Sequence, residues 1–222
     1  MIVSLHVWRV APNRIPAALW RMAVEPRRLR RTPGVRFAKL LGTARGFGPT
    51  RADPTRWAAL TVAEEPPAFP RWDRIAVAGC RLDLLPLHSR GTWSGRAPFV
   101  TSPGPATGPV LALTRARLRP RRALTFWRAI GPVAGAAVEA PGLLAAFGVG
   151  EAPLGWQGTV SVWRNTPDLV RFAYRHPEHR TAIARTTTAN WYAEELFARF
   201  AVLDVHGDTE VIGWVGGRRL PE

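Results

Sequence analysis

Residues 3–12, VSLHVWRVAP, resemble residues 111–120, LALTRARLRP, which lie 108 positions further along the chain. Both stretches largely alternate in the manner of a half-buried β-strand, and both close with a proline. Further matches keep nearly the same offset: Trp20-Arg21 with Trp127-Arg128 at 107 positions, and Pro33-Gly34 with Pro141-Gly142 and Gly42 with Gly150 at 108 positions. An internal repeat of this length indicates two copies of one structural unit.

Each copy contains the same predicted order of elements, namely strand, helix, strand, strand, helix, strand. This is the order of a ferredoxin-like split βαβ unit. One such unit leaves a face of its sheet uncovered, whereas two units in tandem can pack into a closed, pseudo-symmetric barrel. The sequence therefore predicts an α+β fold made of tandem duplicated ferredoxin-like units. The predicted strands are 2–10, 35–42, 57–63, 80–88, 110–118, 144–149, 158–164 and 200–206, the predicted helices are 13–31, 121–138, 167–189 and 191–199, and a terminal extension covers 210–216.

The two copies differ in their second helix. In the first copy, Pro66, Pro67 and Pro70 cut this helix short, because proline lacks the backbone N–H that a helix interior needs. A segment rich in glycine, serine and proline joins the copies. We therefore predict a basic scaffold half at 1–88, a linker at 89–108 and a second half that carries the functional site at 109–222.

Composition excludes several classes of protein. Of the 222 residues, 46% are hydrophobic, so the chain can bury a core, and the single cysteine, Cys80, excludes an intrachain disulfide and a multi-cysteine zinc site. The most apolar region, residues 130–156, is interrupted by proline, glycine and glutamate and is not expected to span a membrane. No secretory signal is evident. We expect a cytoplasmic protein, or one peripheral to the cytoplasmic membrane.

The net charge of +15 is unevenly distributed, since residues 1–108 carry 17 basic and 6 acidic side chains. Only Lys39 among the basic residues is a lysine. A basic face attracts anionic lipid headgroups or nucleic acid. No helix-turn-helix, zinc-finger or aromatic RNA-binding pattern is present, so we expect no nucleic-acid partner. Contact with an anionic membrane and a simply solvated basic face remain the two interpretations.

The stretch at 156–200 is the most informative for function. A strand at 159–164 is followed by Thr166-Pro-Asp168, which predicts the start of a helix. Pro177 interrupts this helix and opens another, on which His179 and Ile183 share one apolar face. A neutral imidazole projecting from such a face suits the proximal ligand of a haem iron. The alternatives are that His179 is a core histidine, or that His176 is the ligand.

The chain resembles the spheroidene monooxygenase family, a family of carotenoid oxygenases. The resemblance is stronger in the second half than in the first. The matching stretches are GPVLALTRARLRP at 108–120, Phe126-Trp127, APGLLAAFGVGEAP at 140–153, QGTVSVW at 157–163, Phe172-Ala-Tyr174, His179 and WYAEELFARF at 191–200, together with Gly91-Thr-Trp93 and Pro98-Phe99 of the linker. Their order and spacing make the resemblance specific, although no single motif decides it.

The resemblance implies a dimeric α+β barrel, a haem and molecular oxygen. It maps a recurring haem-binding arrangement, a strand ending in tryptophan followed by a helix with a histidine, onto Trp163 and His179, with His179 as the iron ligand. Arg175 and Arg185 are candidates to pair with a haem propionate. We expect Trp127, Phe147, Trp163 and Phe172 to line an apolar substrate pocket, with core packing as the alternative for most of them.

The implied activity is a haem-dependent monooxygenase that inserts oxygen from O₂ into an apolar, carotenoid-like substrate and forms a ketone by repeated hydroxylation. Such an enzyme needs an electron donor. Two alternatives remain: a haem-binding protein without oxygenase activity, and a cofactor-free barrel. The chain is expected to be either a monomer with an internal pseudo-dimer or a homodimer.

Overall fold

The computed structural model describes residues 1–45, 52–104, 107–119, 140–151, 158–175 and 192–214. The described residues form eight strands and three α-helices. The strands are β1 (Ile2–Val10), β2 (Val35–Ala44), β3 (Ala52–Ala63), β4 (Ala76–Gly91), β5 (Val110–Leu118), β6 (Leu143–Gly150), β7 (Gly158–Trp163) and β8 (Tyr192–Gly207). The helices are α1 (Ile15–Leu29), α2 (Pro70–Asp73) and α3 (Thr166–Arg175), and 3₁₀ turns cover Pro12–Arg14 and Thr209–Ile212. No helix in these segments is both long and apolar enough to cross a bilayer.

The strands close into one antiparallel barrel in the order β1-β3-β2-β6-β7-β5-β8-β4. The first four strands have the order β4-β1-β3-β2, and the last four have the same order, β8-β5-β7-β6. Pairs β2–β6 and β4–β8 join the two sets. The predicted mixed α+β fold is confirmed, and the two halves share one sheet.

The interior of the barrel is filled by side chains from all eight strands. Because side chains alternate along a strand, every second residue points inward, as Leu111 and Leu113 do on β5. Residues between β4 and β5 add Trp93 and Phe99, which are 1% and 6% exposed. At the other end of the core, Val211, Ile212 and Trp214 follow β8. The segment predicted as a linker therefore contributes side chains to the barrel core.

One predicted helix is wrong. Residues 191–199 were expected to form a short helix, but residues from Tyr192 onward belong to β8, which pairs with both β4 and β5. Leu196, Ala198 and Phe200 point into the barrel core at the spacing of two that a strand requires. Pairing on both edges satisfies the backbone N–H and C=O groups that a helix would have bonded internally.

Candidate functional site

The outward sides of the two half-sheets differ in what covers them. We call the outward side of β1 and β3 the first outer face, and the outward side of β5 and β7 the second outer face. The register of the strands shows which positions of the two faces are equivalent, because each residue pair between β1 and β3 has a counterpart between β5 and β7 at a constant offset in sequence number. The equivalent pairs are Ser4–Thr61 with Ala112–Ser161, and His6–Ala59 with Thr114–Thr159.

The first outer face is packed with aromatic rings under α1 and α2. Trp8 stacks on Trp72 with ring centroids 5.1 Å apart, and its indole N–H donates to Asp73 Oδ1 over 2.8 Å. His6 meets Phe69 edge-on at 4.8 Å. Burial, with the nearby positive charge of Arg81, lowers the pKa of His6 to about 3, so this imidazole is neutral and belongs to the core.

The second outer face has small side chains where the first has rings. By the same register, Thr114 stands where His6 stands, and Ala116 stands where Trp8 stands. Thr114 is exposed, and Ala116 and Thr159 are half-buried. At these two positions the described central strand of the second half therefore carries small side chains where its counterpart carries the rings that fill the first outer face.

An aromatic pair borders the second outer face where β7 meets α3. Trp163 is 1% exposed and stacks on Phe172, with ring centroids 5.2 Å apart and an angle of 29° between the planes. Leu169 joins them in one buried cluster. The structure thus brings together two of the four residues predicted for the pocket.

Helix α3 begins at Thr166, one residue before the predicted start at 167. The side-chain oxygen of Asn165 accepts a hydrogen bond from the Asp168 N–H over 2.8 Å, which is the bond of an N-cap. Asp168 is 3% exposed and accepts hydrogen bonds from Arg164 and Arg171. These contacts fix the start of the helix beside Trp163.

Phe147 lies on the other side of the sheet from the aromatic pair. It points into the barrel core, is fully buried, and has the Arg56 guanidinium 4.8 Å from its ring centre. Phe147 and the pair of Trp163 and Phe172 therefore do not line one common pocket. Trp127, the fourth predicted pocket residue, lies outside the described residues.

Most of the residues predicted to hold a haem belong to the segment after α3. His179 and Arg185 lie outside the described residues, as does the alternative ligand His176. Arg175 is the last residue of α3. Within the described segments, no group of three or more His, Cys, Asp and Glu side chains is arranged to hold a metal ion.

An arginine that the sequence did not single out lies beside the second outer face. Arg199 of β8 is paired in register with Ala112, and it shares the outward direction of that residue. Its Nε is buried and has no hydrogen-bond partner in the described part of the chain. A buried donor without a partner is costly, so this guanidinium is suited to an anionic group on that face.

A buried network of charges closes one end of the barrel. Arg115, which is 4% exposed, bridges the carboxylates of Glu194 and Glu151. Glu151 also accepts hydrogen bonds from Lys39 over 2.6 Å and from the Trp93 indole over 2.7 Å. Glu151 thereby ties the 92–95 turn to the barrel, whereas the neighbouring Glu195 meets Arg90 at 3.7 Å.

Both network carboxylates are stabilised in their ionised form. Burial alone raises the pKa of Glu194, but hydrogen bonds from the Gly95 N–H, Arg115 and Thr92 outweigh it and lower this pKa to about 2. Burial also raises the pKa of Glu151, but the hydrogen bonds from Lys39 and Trp93 outweigh it, so the pKa of Glu151 is lowered. These groups hold no proton at neutral pH, so the network serves structure rather than general acid catalysis.

The chain is similar to known oxygenases along nearly its whole length. It is 33% identical over 231 aligned positions to spheroidene monooxygenase of Rhodobacter capsulatus, which covers 97% of this chain and 93% of that protein. It is 35% identical over 187 positions to spheroidene monooxygenase of Rubrivivax gelatinosus, with 79% and 72% covered. No protein-family profile matches the chain. A crystal structure of an aldoxime dehydratase has the same fold, with a TM-score of 0.53, 12% identity, and 90% of this chain and 80% of that chain covered.

Proposed function

The chain belongs to the spheroidene monooxygenase family, and from that premise we propose that it is a haem-dependent monooxygenase acting on a carotenoid-like substrate at the second outer face. Membership of the family makes the protein an oxygenase. The cofactor, the substrate and the place of the reaction are the proposed parts.

The observation that carries the proposal is the contrast between the two outer faces. A flat ligand needs a sheet surface without large side chains, and the second outer face offers Ala112, Thr114 and Ala116 in a row on β5. The same row on β1 is Ser4, His6 and Trp8, whose rings are already packed. Among the described residues, the strands of the second half therefore lack the packed rings that would keep a planar group from the sheet of the first half.

The proposed haem site combines candidates from the sequence with one residue that borders this face. His179 would hold the iron, and Arg175 and Arg185 remain the candidates from sequence for its propionates. A further candidate is Arg199, because its buried Nε borders the same face without a hydrogen-bond partner among the described residues, and guanidinium groups bind carboxylates. When bound, the haem would supply the iron chemistry that activates O₂.

The protein's own contribution would be binding and orientation. An apolar polyene gains free energy by leaving water for an apolar surface, and Phe172, which is half-buried against Trp163, would offer such a surface to one end of the substrate. Each oxygen insertion takes one O₂, two electrons and two protons, and releases one water, so an external electron donor is required. A second hydroxylation at the same carbon gives a gem-diol, which loses water to form a ketone.

We also propose that the two halves arose by tandem duplication. Support comes from the sequence repeat and from the identical strand order of the two half-sheets. A single chain would then supply both halves of a barrel that dimeric α+β barrel proteins assemble from two chains. The duplication would leave the first half as scaffold and the second with the ligand face.

The test is the absorption spectrum of the full chain purified from haem-replete cells, recorded beside His179→Ala and the matched control His176→Ala. We expect a Soret band in the parent and in His176→Ala, and its loss or shift in His179→Ala. Incubation with spheroidene, a reductant and ¹⁸O₂ should place labelled oxygen in the product. A colourless parent would overturn the haem mechanism in favour of a cofactor-free barrel. Retained haem without turnover of carotenoids would indicate a non-catalytic haem-binding protein.

A further inference from the structure

Helix α1 presents an exposed tryptophan on an otherwise basic surface. Trp20 is 68% exposed and its neighbour Leu19 is 42% exposed. One and two turns further along the same side of the helix lie Ala23 and Arg27, both exposed. We call this side of α1, together with Arg30 and Arg31 directly after the helix, the α1 solvent face.

The opposite side of α1 holds the helix firmly on the barrel. Ala18 and Leu29 are buried in the cluster that contains Trp8 and Trp72. Arg21 donates from its Nε to the Arg71 carbonyl over 2.9 Å, which fastens α1 to α2. The large exposure of Trp20 therefore belongs to a well-anchored helix, and its indole is not needed in the core.

The charge around this tryptophan is strongly positive. Residues 1–45 contain ten basic side chains and one acidic side chain, Glu25. Glu25 is 4% exposed, so it neutralises little of the surface, and its contact with Arg28 is long, at 3.7 Å. The exposed arginines on and around α1 are Arg14, Arg27, Arg28, Arg30, Arg31 and Arg36.

We propose that the α1 solvent face docks the protein on an anionic lipid bilayer. Indole rings favour the boundary between water and hydrocarbon, and arginines gain from the negative potential of anionic headgroups, so the two residue types together match this surface. A second copy of the chain would bring the same arginines together and repel. Nucleic acid would attract the arginines but gives no reason for an exposed Leu19 beside Trp20.

Docking at α1 would leave the second outer face uncovered by lipid. Helix α1 contacts β2 and β3 of the first half, whereas the second outer face lies on β5 and β7 of the other half of the barrel. The docking itself does not depend on the proposed function. Its benefit does rest on that function, because a carotenoid-like substrate is concentrated in the bilayer.

Sedimentation of the full chain with lipid vesicles tests the proposal. We expect binding to vesicles containing about one-third phosphatidylglycerol, little binding to pure phosphatidylcholine, and weakening by salt because exposed charges are screened. The double change Arg27→Glu with Arg30→Glu should weaken binding roughly twentyfold or more. Trp20→Ser should weaken it about fivefold at high salt, where the apolar contact carries more of the binding.

Matched controls use exposed residues of the segment between β4 and β5. Arg96→Glu and Val100→Ser change a charge and an apolar side chain of similar exposure and should leave vesicle binding within about twofold. Equal binding by the parent and the α1 variants would overturn the proposal, as would binding to duplex DNA but not to vesicles. The Soret band is recorded on the same samples, so failure of docking and failure of the haem proposal are separately visible.

Discussion

Trp8 and Ala116 occupy equivalent positions in the two half-sheets, so that an indole lies on the first outer face where the second carries a methyl group. Trp8 is paired with Gly79 of β4, and Ala116 with Glu195 of β8, in the same register. Within the described residues, the ring packing of the first outer face is therefore not repeated at this position of the second.

Filling the second outer face should abolish ligand binding without unfolding the barrel. In Ala116→Trp the indole would occupy the space above β5, and we expect retained haem to fall at least about tenfold, because a ligand cannot displace a packed ring. The ratio of Soret to protein absorbance measures this. Val100→Trp, at a site that is 75% exposed, is the control. If Ala116→Trp folds cooperatively and still retains its full haem content, the haem does not bind at the second outer face.

Removing a ring from the first outer face should instead lower the free energy of unfolding. Trp8→Ala removes a side chain that is 3% exposed and packed against Trp72, and we expect a loss of about 3–5 kcal/mol in the free energy of unfolding. Denaturant titration measures the change. Trp20→Ala is the control, because its exposed ring should alter stability by no more than about 0.5 kcal/mol. Similar losses in both variants would contradict the assigned core.

The Glu194 carboxylate should make the barrel acid-sensitive. Its pKa is lowered from 4.5 to about 2 in the folded state, so its ionised form contributes stability above pH 4.5, and this contribution disappears as the pH falls toward about 2. Glu194→Gln should be less stable at pH 7 by about 2 kcal/mol, because Arg115 loses a charged partner. The difference between parent and variant should shrink between pH 4.5 and 2. A constant difference across that range would contradict the assignment. The control is Glu195→Gln, because Glu195 is exposed and meets only the exposed Arg90. We expect no measurable change in its free energy of unfolding at pH 7.

Gly142 should tolerate no side chain. Its φ is +86°, and an added Cβ would meet the Asp168 carboxylate oxygen that anchors α3. We expect Gly142→Ala to lower the free energy of unfolding by about 3 kcal/mol, from backbone strain and the displaced carboxylate together. Gly213→Ala is matched, with φ of +82° and open space around the Cβ, and should cost only about 1–2 kcal/mol. Equal effects at the two sites would show that Asp168 moves aside freely.

The sequence by itself determined the strands and their arrangement in two equivalent halves. Alternation with a period of two is a local property, and the 108-residue repeat gave two independent copies of the same pattern. It also marked the start of α3, where Pro167 and Asp168 belong to a helix N-terminus. It failed at 191–199, where Leu196 and Phe200 are spaced like residues on a helix face, and only pairing with β4 and β5 makes that stretch a strand.

Only the tertiary structure decided which of these residues share a surface. Phe147 and Trp163 were both predicted as pocket residues. In the structure Phe147 points into the barrel core and Trp163 points outward, because neighbouring positions on a strand face opposite sides of the sheet. Arg115 lies 36 positions from Glu151 and 79 from Glu194, and only closure of the barrel brings these charges together. Local patterns specify elements, whereas long-range pairing specifies their neighbours.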